Sequence, residues 1–148
     1  MKTILVPTDY SDVAYNALRY AAELANHAHA KLILFHAYHV PVPTTEVPVM
    51  LVSPQELEKE NHERIKKLER EIVEISSGKV KVESIVRAGF AVDAILDLVK
   101  EKNIDTIVMG MQGGGTLRKV IGSTTTALMK KSNCPVIVVP EKAKFKKI

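Results

Sequence analysis

Cysteine, aromatic residues and long apolar runs are scarce in this chain of 148 residues, and each scarcity excludes a class of protein. The single cysteine, Cys134, cannot form an internal disulfide, so we expect a reducing compartment. No apolar run approaches the roughly 20 residues of a membrane-spanning helix. The N-terminus leads directly into an apolar segment, without a signal-peptide pattern. We therefore expect a cytoplasmic protein with no membrane partner, of a length typical of one domain.

Net charge is nearly absent from the body of the chain. The formal net charge is +4, but residues 141–148 contain four lysines and one glutamate and account for +3 of it. Residues 1–140 hold 17 basic and 16 acidic side chains, a net of +1. We predict a near-neutral domain, 1–140, followed by a solvated basic tail, 141–148. This distribution disfavours nucleic acid as a partner, although a weak contact of the tail with RNA, DNA or anionic lipid stays open.

Five apolar segments alternate with four amphipathic ones along the chain. The apolar segments are predicted to be strands and span residues 2–7, 30–37, 80–86, 104–109 and 135–140. The segments between them carry apolar residues at helical spacing. The order βαβαβαβαβ predicts an α/β fold, with one open parallel sheet and helices on both of its faces. Ligands of such sheets bind beyond the carboxyl ends of the strands, at a switch in strand order.

Glycine is sparse as well, yet four of the seven glycines fall between Gly110 and Gly115. They follow a predicted strand, and Gly122 then precedes a helix that begins Ser-Thr-Thr-Thr. Glycines let backbone N–H groups approach an anion, and a helix N-terminus adds unpaired donors and partial positive charge. This arrangement predicts a phosphate cradle, but no Walker A loop, because Gly-Lys-Ser/Thr is absent. The structural alternative is a tight strand-to-helix turn whose hydroxyl residues only cap the helix.

The sequence gives little support for a metal site or a catalytic site. The histidines at positions 27, 29, 36 and 39 form two pairs at opposite ends of a strand, about 20 Å apart, so we predict no metal site. No Ser–His–Asp or Cys–His arrangement can be assigned, and no residue is identifiable as a dedicated general base. We therefore assign no catalytic residue. Asp9 with Asp12 is the one acidic pair that could serve a phosphohydrolase, a third and weaker interpretation.

Four segments, in order, resemble the universal stress protein family over essentially the whole chain. They are Ile4–Leu18, Leu32–Tyr38, Val86–Ile95 and Asp105–Pro140, of which the last, DTIVMGMQGGG…IGSTTTALMKKSNCPVIVVP, is the most specific. The resemblance implies a Rossmann-like fold of the nucleotide-binding α-hydrolase type, with a five-stranded parallel sheet in the order 3-2-1-4-5. It also implies a homodimer, which commonly forms through the last strand.

One branch of this family binds ATP and carries Gly-x2-Gly-x9-Gly-[Ser/Thr]. Gly110 and Gly113 match the first half of that motif, but only eight residues separate Gly113 from Gly122. The loop is thus one residue shorter than the motif, and such a deletion can re-aim several N–H groups. We favour the ATP-binding branch, and the alternative is a dimeric interaction module of the same family that binds no nucleotide.

The resemblance also implies roles for individual residues in binding ATP, with or without Mg²⁺. Carboxylate and backbone groups at the ends of the first, second and fourth strands would contact the adenine and ribose, and the glycine loop and the last helix would hold the phosphates. Asp9 could instead cap the first helix, in competition with Ser11 or Asp12. Arg118 and Lys119, in the loop, could supply positive charge. The implied site consists of Pro7, Thr8, Asp9, Ala37, Met109 and Gly110 for the nucleoside, and Gly113, Gly122, Ser123 and Thr124 for the phosphates.

Two further segments point to assembly and regulation. Residues 40–52 are apolar and contain three prolines, so we expect a lid over the nucleotide or a dimer contact. Residues 135–140 would expose an apolar sheet edge in a monomer, and pairing with a second copy would cover it. The sequence thus favours a homodimeric, adenine-nucleotide-dependent switch in the stress response, with slow ATP hydrolysis or autophosphorylation at most.

Overall fold

The computed structural model describes residues 1–40, 53–111 and 121–146, which form nine elements in strict alternation. They are β1 (Thr3–Pro7), α1 (Asp12–Ala28), β2 (Lys31–Tyr38), α2 (Pro54–Ile75), β3 (Val82–Ala88), α3 (Ala91–Glu101), β4 (Thr106–Gly110), α4 (Ser123–Lys131) and β5 (Val136–Val139). All strand pairs are parallel, and the order is β3-β2-β1-β4-β5. The predicted fold class and strand order are therefore confirmed.

Two apolar clusters cover the two faces of the sheet, as strand alternation requires. In β1, Ile4 and Val6 point to the cluster under α1 and α2, whereas Leu5 points to the cluster under α3 and α4. The inner face of α1 consists mainly of alanines, which lets this helix lie close to the sheet. The buried alanines of α1 are Ala14, Ala17, Ala21, Ala22 and Ala25.

Both ends of α2 follow known capping motifs, with one difference from the sequence-based expectation. Ser53 and Glu56 form a capping box at the start of α2, with Pro54 in the first turn. At the other end, a glycine after the helical pattern predicts the C′ residue, but Gly78 lies one position further along. Ser77 takes the left-handed conformation at C′ with φ 55°, and the Gly78 N–H donates to the Val73 carbonyl at 2.9 Å. This is a Schellman motif, with Gly78 at C″.

The basic tail is less solvated than predicted, at least as far as residue 146. The side chain of Asn16 donates to the carbonyl oxygens of Pro140 at 3.3 Å and Ala143 at 3.1 Å. The Phe145 ring packs edge-on against Tyr20, with centroids 5.6 Å apart. Apolar contacts thus hold the described part of the tail on α1, while its lysines stay exposed. Within the described ranges, no helix has the length and apolar character to cross a bilayer.

Candidate functional site

The strand order places the candidate site between the carboxyl ends of β1 and β4. Within the sheet, β2 and β3 lie on one side of β1, whereas β4 and β5 lie on its other side. In open parallel sheets, a switch of this kind in strand order is the place where ligands bind, beyond the carboxyl ends of the two strands. Of the residues expected in the site, those at the ends of β1, β2 and β4 and at the start of α4 lie along this edge.

The β1–α1 turn is held by its own side chains. Thr8 is buried, and its N–H donates to the Phe35 carbonyl at 2.8 Å, while its Oγ1 accepts from the Tyr10 N–H at 3.0 Å. Asp9 is exposed, and its Oδ1 accepts from the Ser11 N–H at 2.9 Å. Ser11 is the N-cap of α1, accepting from the Ala14 N–H. Asp9 therefore shapes the turn and does not cap the helix.

At the end of β2, Ala37 and His36 face opposite sides of the sheet. Ala37 is partly buried and packs with the cluster under α3 and α4. The adjacent His36 points to the opposite face, where its Nδ1 lies 2.7 Å from the Thr8 carbonyl oxygen. Because a carbonyl oxygen only accepts, this bond requires the proton on Nδ1. The carbonyl of Thr8 is thereby tied to β2.

At the end of β4, the side chain of Met109 is buried with 6% exposure, so it would face a ligand only through its backbone. Gly110 lies against the first turn of α1. A Cβ atom at this position would stand 2.6 Å from Val13 Cγ1 and 3.2 Å from the Val13 carbonyl oxygen. The Gly110 carbonyl accepts from the buried Thr125 hydroxyl at 3.0 Å. One residue without a side chain thus joins β4 to both α1 and α4.

The N-terminus of α4 carries backbone donors without a side-chain cap. Gly122 is the N-cap with φ −65°, and its own N–H donates to the Met111 carbonyl at 2.7 Å. The first intrahelical bond runs from the Thr126 N–H to the Gly122 carbonyl. The N–H groups of Ser123, Thr124 and Thr125 precede that bond and have no intrahelical acceptor. In the part of the chain that the structure describes, this end of α4 is therefore a set of aligned donors with partial positive charge.

Several predictions fall on residues 41–52 and 112–120, which lie outside the described residues. These predictions concern Gly113, Arg118 and Lys119, and the apolar segment after Val40. The described residues contain no cluster of three or more His, Cys, Asp or Glu side chains placed to hold a metal ion.

Sequence reasoning missed an aromatic and cationic stack beside the turn. The Arg64 guanidinium of α2 lies 3.8 Å above the Tyr10 ring centroid, and the His36 ring lies 4.7 Å from it on centroids. Burial raises the pKa of Tyr10, and the charge of Arg64 opposes that rise. Arg64 gave no signal, because it is one charged residue among many on the outer face of α2. The sequence also indicated Thr125 only as a cap, since its partner, Gly110, becomes adjacent only in the folded sheet.

Comparison with known proteins finds relatives that are universal stress proteins. The model of the universal stress protein family matches residues 1–140. A universal stress protein of Methanocaldococcus jannaschii is 28% identical, over 95% of this chain and 96% of its own length. The universal stress protein YxiE of Bacillus subtilis is 32% identical, over 92% of this chain and 97% of its own length.

Solved structures agree with these relatives. The universal stress protein UspA from Lactobacillus plantarum superposes with a TM-score of 0.78 at 26% identity, covering 93% of this chain and 97% of that one. A universal stress protein in complex with cAMP superposes with a TM-score of 0.67 at 24% identity, covering 95% of this chain and 98% of that one. The universal stress protein from Archaeoglobus fulgidus in complex with dAMP superposes with a TM-score of 0.62 at 23% identity, covering 93% of this chain and 97% of that one. At such identities the last two demonstrate the shared fold. The chain belongs to the universal stress protein family.

Proposed function

We propose that this protein binds an adenine nucleotide at the carboxyl edge of its sheet, between β1 and β4. The observation that carries the proposal is the uncapped N-terminus of α4. Its backbone N–H groups at Ser123, Thr124 and Thr125 have no intrahelical acceptor, and Gly122 supplies no side chain to replace one. A phosphate oxygen is the kind of acceptor that such a helix end favours.

The remaining residues of the edge fit the nucleoside part of such a ligand. Asp9 is an exposed carboxylate at the end of β1, suited to accept hydrogen bonds from ribose hydroxyls or the adenine amino group. Ala37 and Met109 would contribute backbone groups, since the Met109 side chain is buried. Gly113 would complete the phosphate contacts. The two family members with bound cAMP and dAMP support adenine nucleotides as the ligand class; ATP, alone or with Mg²⁺, is our specific proposal.

A second candidate function is a dimeric interaction module that binds no nucleotide. The observation in its favour is the spacing of eight residues between Gly113 and Gly122, one fewer than in the ATP-binding motif. For both candidates we propose a homodimer that pairs through residues 135–140 and acts in the cytoplasmic stress response. Any phosphoryl transfer would be slow hydrolysis or autophosphorylation.

Thermal unfolding separates the two candidates. We expect millimolar MgATP to raise the unfolding midpoint of the purified protein, because a ligand at 100 times its Kd adds about 2.7 kcal/mol to the stability of the folded state. Adenosine and tripolyphosphate, tested alone, should each give a smaller shift, and MgCl₂ should give none. Absence of a shift with ATP, AMP and cAMP, together with no nucleotide released on denaturation, would rule out nucleotide binding and leave the interaction module.

A further inference from the structure

Tyr10 joins two parts of the molecule that the sheet does not join directly. It follows Asp9 in the β1–α1 turn, whereas Arg64 lies on α2, a helix that packs on β2 and β3. The guanidinium of Arg64 nevertheless stacks on the Tyr10 ring, with Cζ 3.8 Å from the centroid. The geometry is that of a cation–π contact.

The ring, and not the hydroxyl, accounts for the position of Tyr10. Its hydroxyl oxygen is buried and has no hydrogen-bond partner among the described residues. The backbone of Tyr10 adopts φ 64°, a left-handed conformation that is energetically costly for an L-residue. Contacts of the ring with His36 and Arg64, and the bond from its N–H to Thr8 Oγ1, oppose that cost.

Thr8, which the proposed function puts beside the nucleoside together with Asp9, is connected to this stack by two hydrogen bonds. The carbonyl of Thr8 is held by His36, whose ring packs against Tyr10. The hydroxyl of Thr8 accepts from the N–H of Tyr10 itself. Movement of the Tyr10 ring would therefore disturb the hydrogen bonds on both sides of Thr8 and the orientation of Asp9 next to it.

We infer that Tyr10 and Arg64 are positioning residues for the nucleotide site, and that their stack locks the β1–α1 turn against α2. The inference rests on the proposed function, because the nucleotide is what the turn is positioned to meet. It extends that function to α2, whose placement and the occupancy of the site then influence each other through Arg64.

The test uses variants that remove either the cation or the ring of the stack. Arg64→Met keeps an unbranched, apolar side chain but loses the guanidinium. Arg70→Met is the matched control, because Arg70 is an exposed arginine on the same helix. Tyr10→Phe keeps the ring and removes only the hydroxyl, so it is the matched comparison for the loss of the ring. Tyr10→Leu removes the ring and should behave like Arg64→Met.

Two readouts are measured on each variant. The first, which needs no ligand, is amide hydrogen exchange at Tyr10 and Ser11, whose N–H groups are bonded within the turn. The second is the Kd for the adenine nucleotide. We expect Arg64→Met to speed exchange and to weaken binding about two- to fivefold, which corresponds to the 0.5–1 kcal/mol of an exposed cation–π contact. Arg70→Met should change neither quantity.

The outcomes separate this inference from the proposed function. Equal exchange at Tyr10 and Ser11 in the Arg64→Met and Arg70→Met variants would overturn the lock. Faster exchange with an unchanged Kd would overturn the positioning role. If the original protein binds no nucleotide, the proposed function fails and the positioning role with it, while the exchange data still decide whether the stack locks the turn.

Discussion

At Gly110 the backbone of β4 comes so close to α1 that no side chain fits between them. The nearest atoms to a hypothetical Cβ belong to Val13, a β-branched residue whose buried side chain has little freedom to move. Gly110 also accepts the hydrogen bond of Thr125. The first glycine of the motif therefore has a packing role within the fold, whether or not a nucleotide binds beside it.

Replacement of this glycine should be costly, and the cost should depend on Val13. We expect Gly110→Ala to lower the free energy of unfolding by about 1–3 kcal/mol, as overpacked sites do. In a Val13→Ala background the Cγ1 clash is gone, so the same substitution should cost less, with a coupling energy of 0.5 kcal/mol or more. Urea denaturation of the two single variants and the double variant gives this cycle. Additive costs would contradict the close-approach explanation.

Residue roles were predictable from the sequence only where a local pattern carried them. In the sequence, a serine, a proline and a glutamate at positions 53, 54 and 56 are typical of a helix start, and the capping box is present. The role of Arg64 depends on a contact between α2 and a turn some 50 residues earlier, which no local pattern contains. For Asp9, local reasoning offered both a cap and a ligand contact. Ser11 takes the cap, because it lies directly before the first turn of α1.

At the scale of elements, the N-terminus of α4 has glycine at the N-cap and therefore no side-chain cap. Asp or Asn at this position would accept from the N–H of the second or third residue of the helix. Gly122 leaves those donors for another acceptor, and its φ of −65° is accessible to any L-residue. The sequence of this segment therefore favours an open helix end over maximal helix stability.

Gly122→Asp should raise the stability of the folded protein and lower its affinity for the nucleotide. We expect the free energy of unfolding without ligand to rise by a few tenths to about 1 kcal/mol, through the new cap and its charge at the positive helix end. Nucleotide affinity should fall at least about tenfold, because like charges 4 Å apart near a protein surface repel by about 4 kcal/mol. Gly122→Asn is the control, with the same cap shape and no charge. Equal nucleotide affinities of the Asp and Asn variants would argue against a phosphate at this helix end.

Element types and order could be predicted from periodicity, since long apolar runs and helical spacing leave little ambiguity. Their ends were less predictable. Two consecutive residues after α2 are left-handed, Ser77 with φ 55° at C′ and Gly78 with φ 73° at C″, whereas the sequence indicated only the glycine. The tail was predicted as solvated because of its lysines, but Ala143 and Phe145 alternate with them and face α1. The prediction relied on the net charge of the tail and gave no weight to the short alternation of apolar residues with lysines.

At the scale of the whole molecule, alternation alone predicted a parallel sheet, but the order 3-2-1-4-5 came from the family resemblance. Strand order depends on which side of the sheet each crossover takes, and the handedness rule restricts that choice without determining it. The order matters for function because it places β1 beside β4, so that the turn with Asp9 and the strand end at Gly110 lie at the same edge of the sheet. The same order leaves β3 and β5 as the two edges of the sheet.

The free edge of β5 provides a specific test of the proposed homodimer. The carbonyls of Pro135 and Val139 accept from the N–H groups of Ile107 in β4 and of Met111, the residue directly after β4. Because backbone groups alternate in direction along a strand, Ile137 also faces β4, whereas the N–H and C=O groups of Val138 face away from the sheet. Val138→Pro therefore removes an outward donor and leaves the β4–β5 hydrogen bonds in place. It should prevent pairing with a second β5 while the domain remains folded.

Sedimentation velocity at tens of micromolar protein measures the result. We expect the original protein and the Val138→Ala control to sediment at twice the 16.4 kDa mass of the chain, and Val138→Pro to sediment at that mass. Circular dichroism and urea denaturation must show a folded Val138→Pro domain, because a misfolded strand would also be monomeric. A folded Val138→Pro variant that still dimerises would place the interface elsewhere. A monomeric original protein would remove the homodimer from both candidate functions, since an unpaired β5 would then be the resting state of this sheet edge.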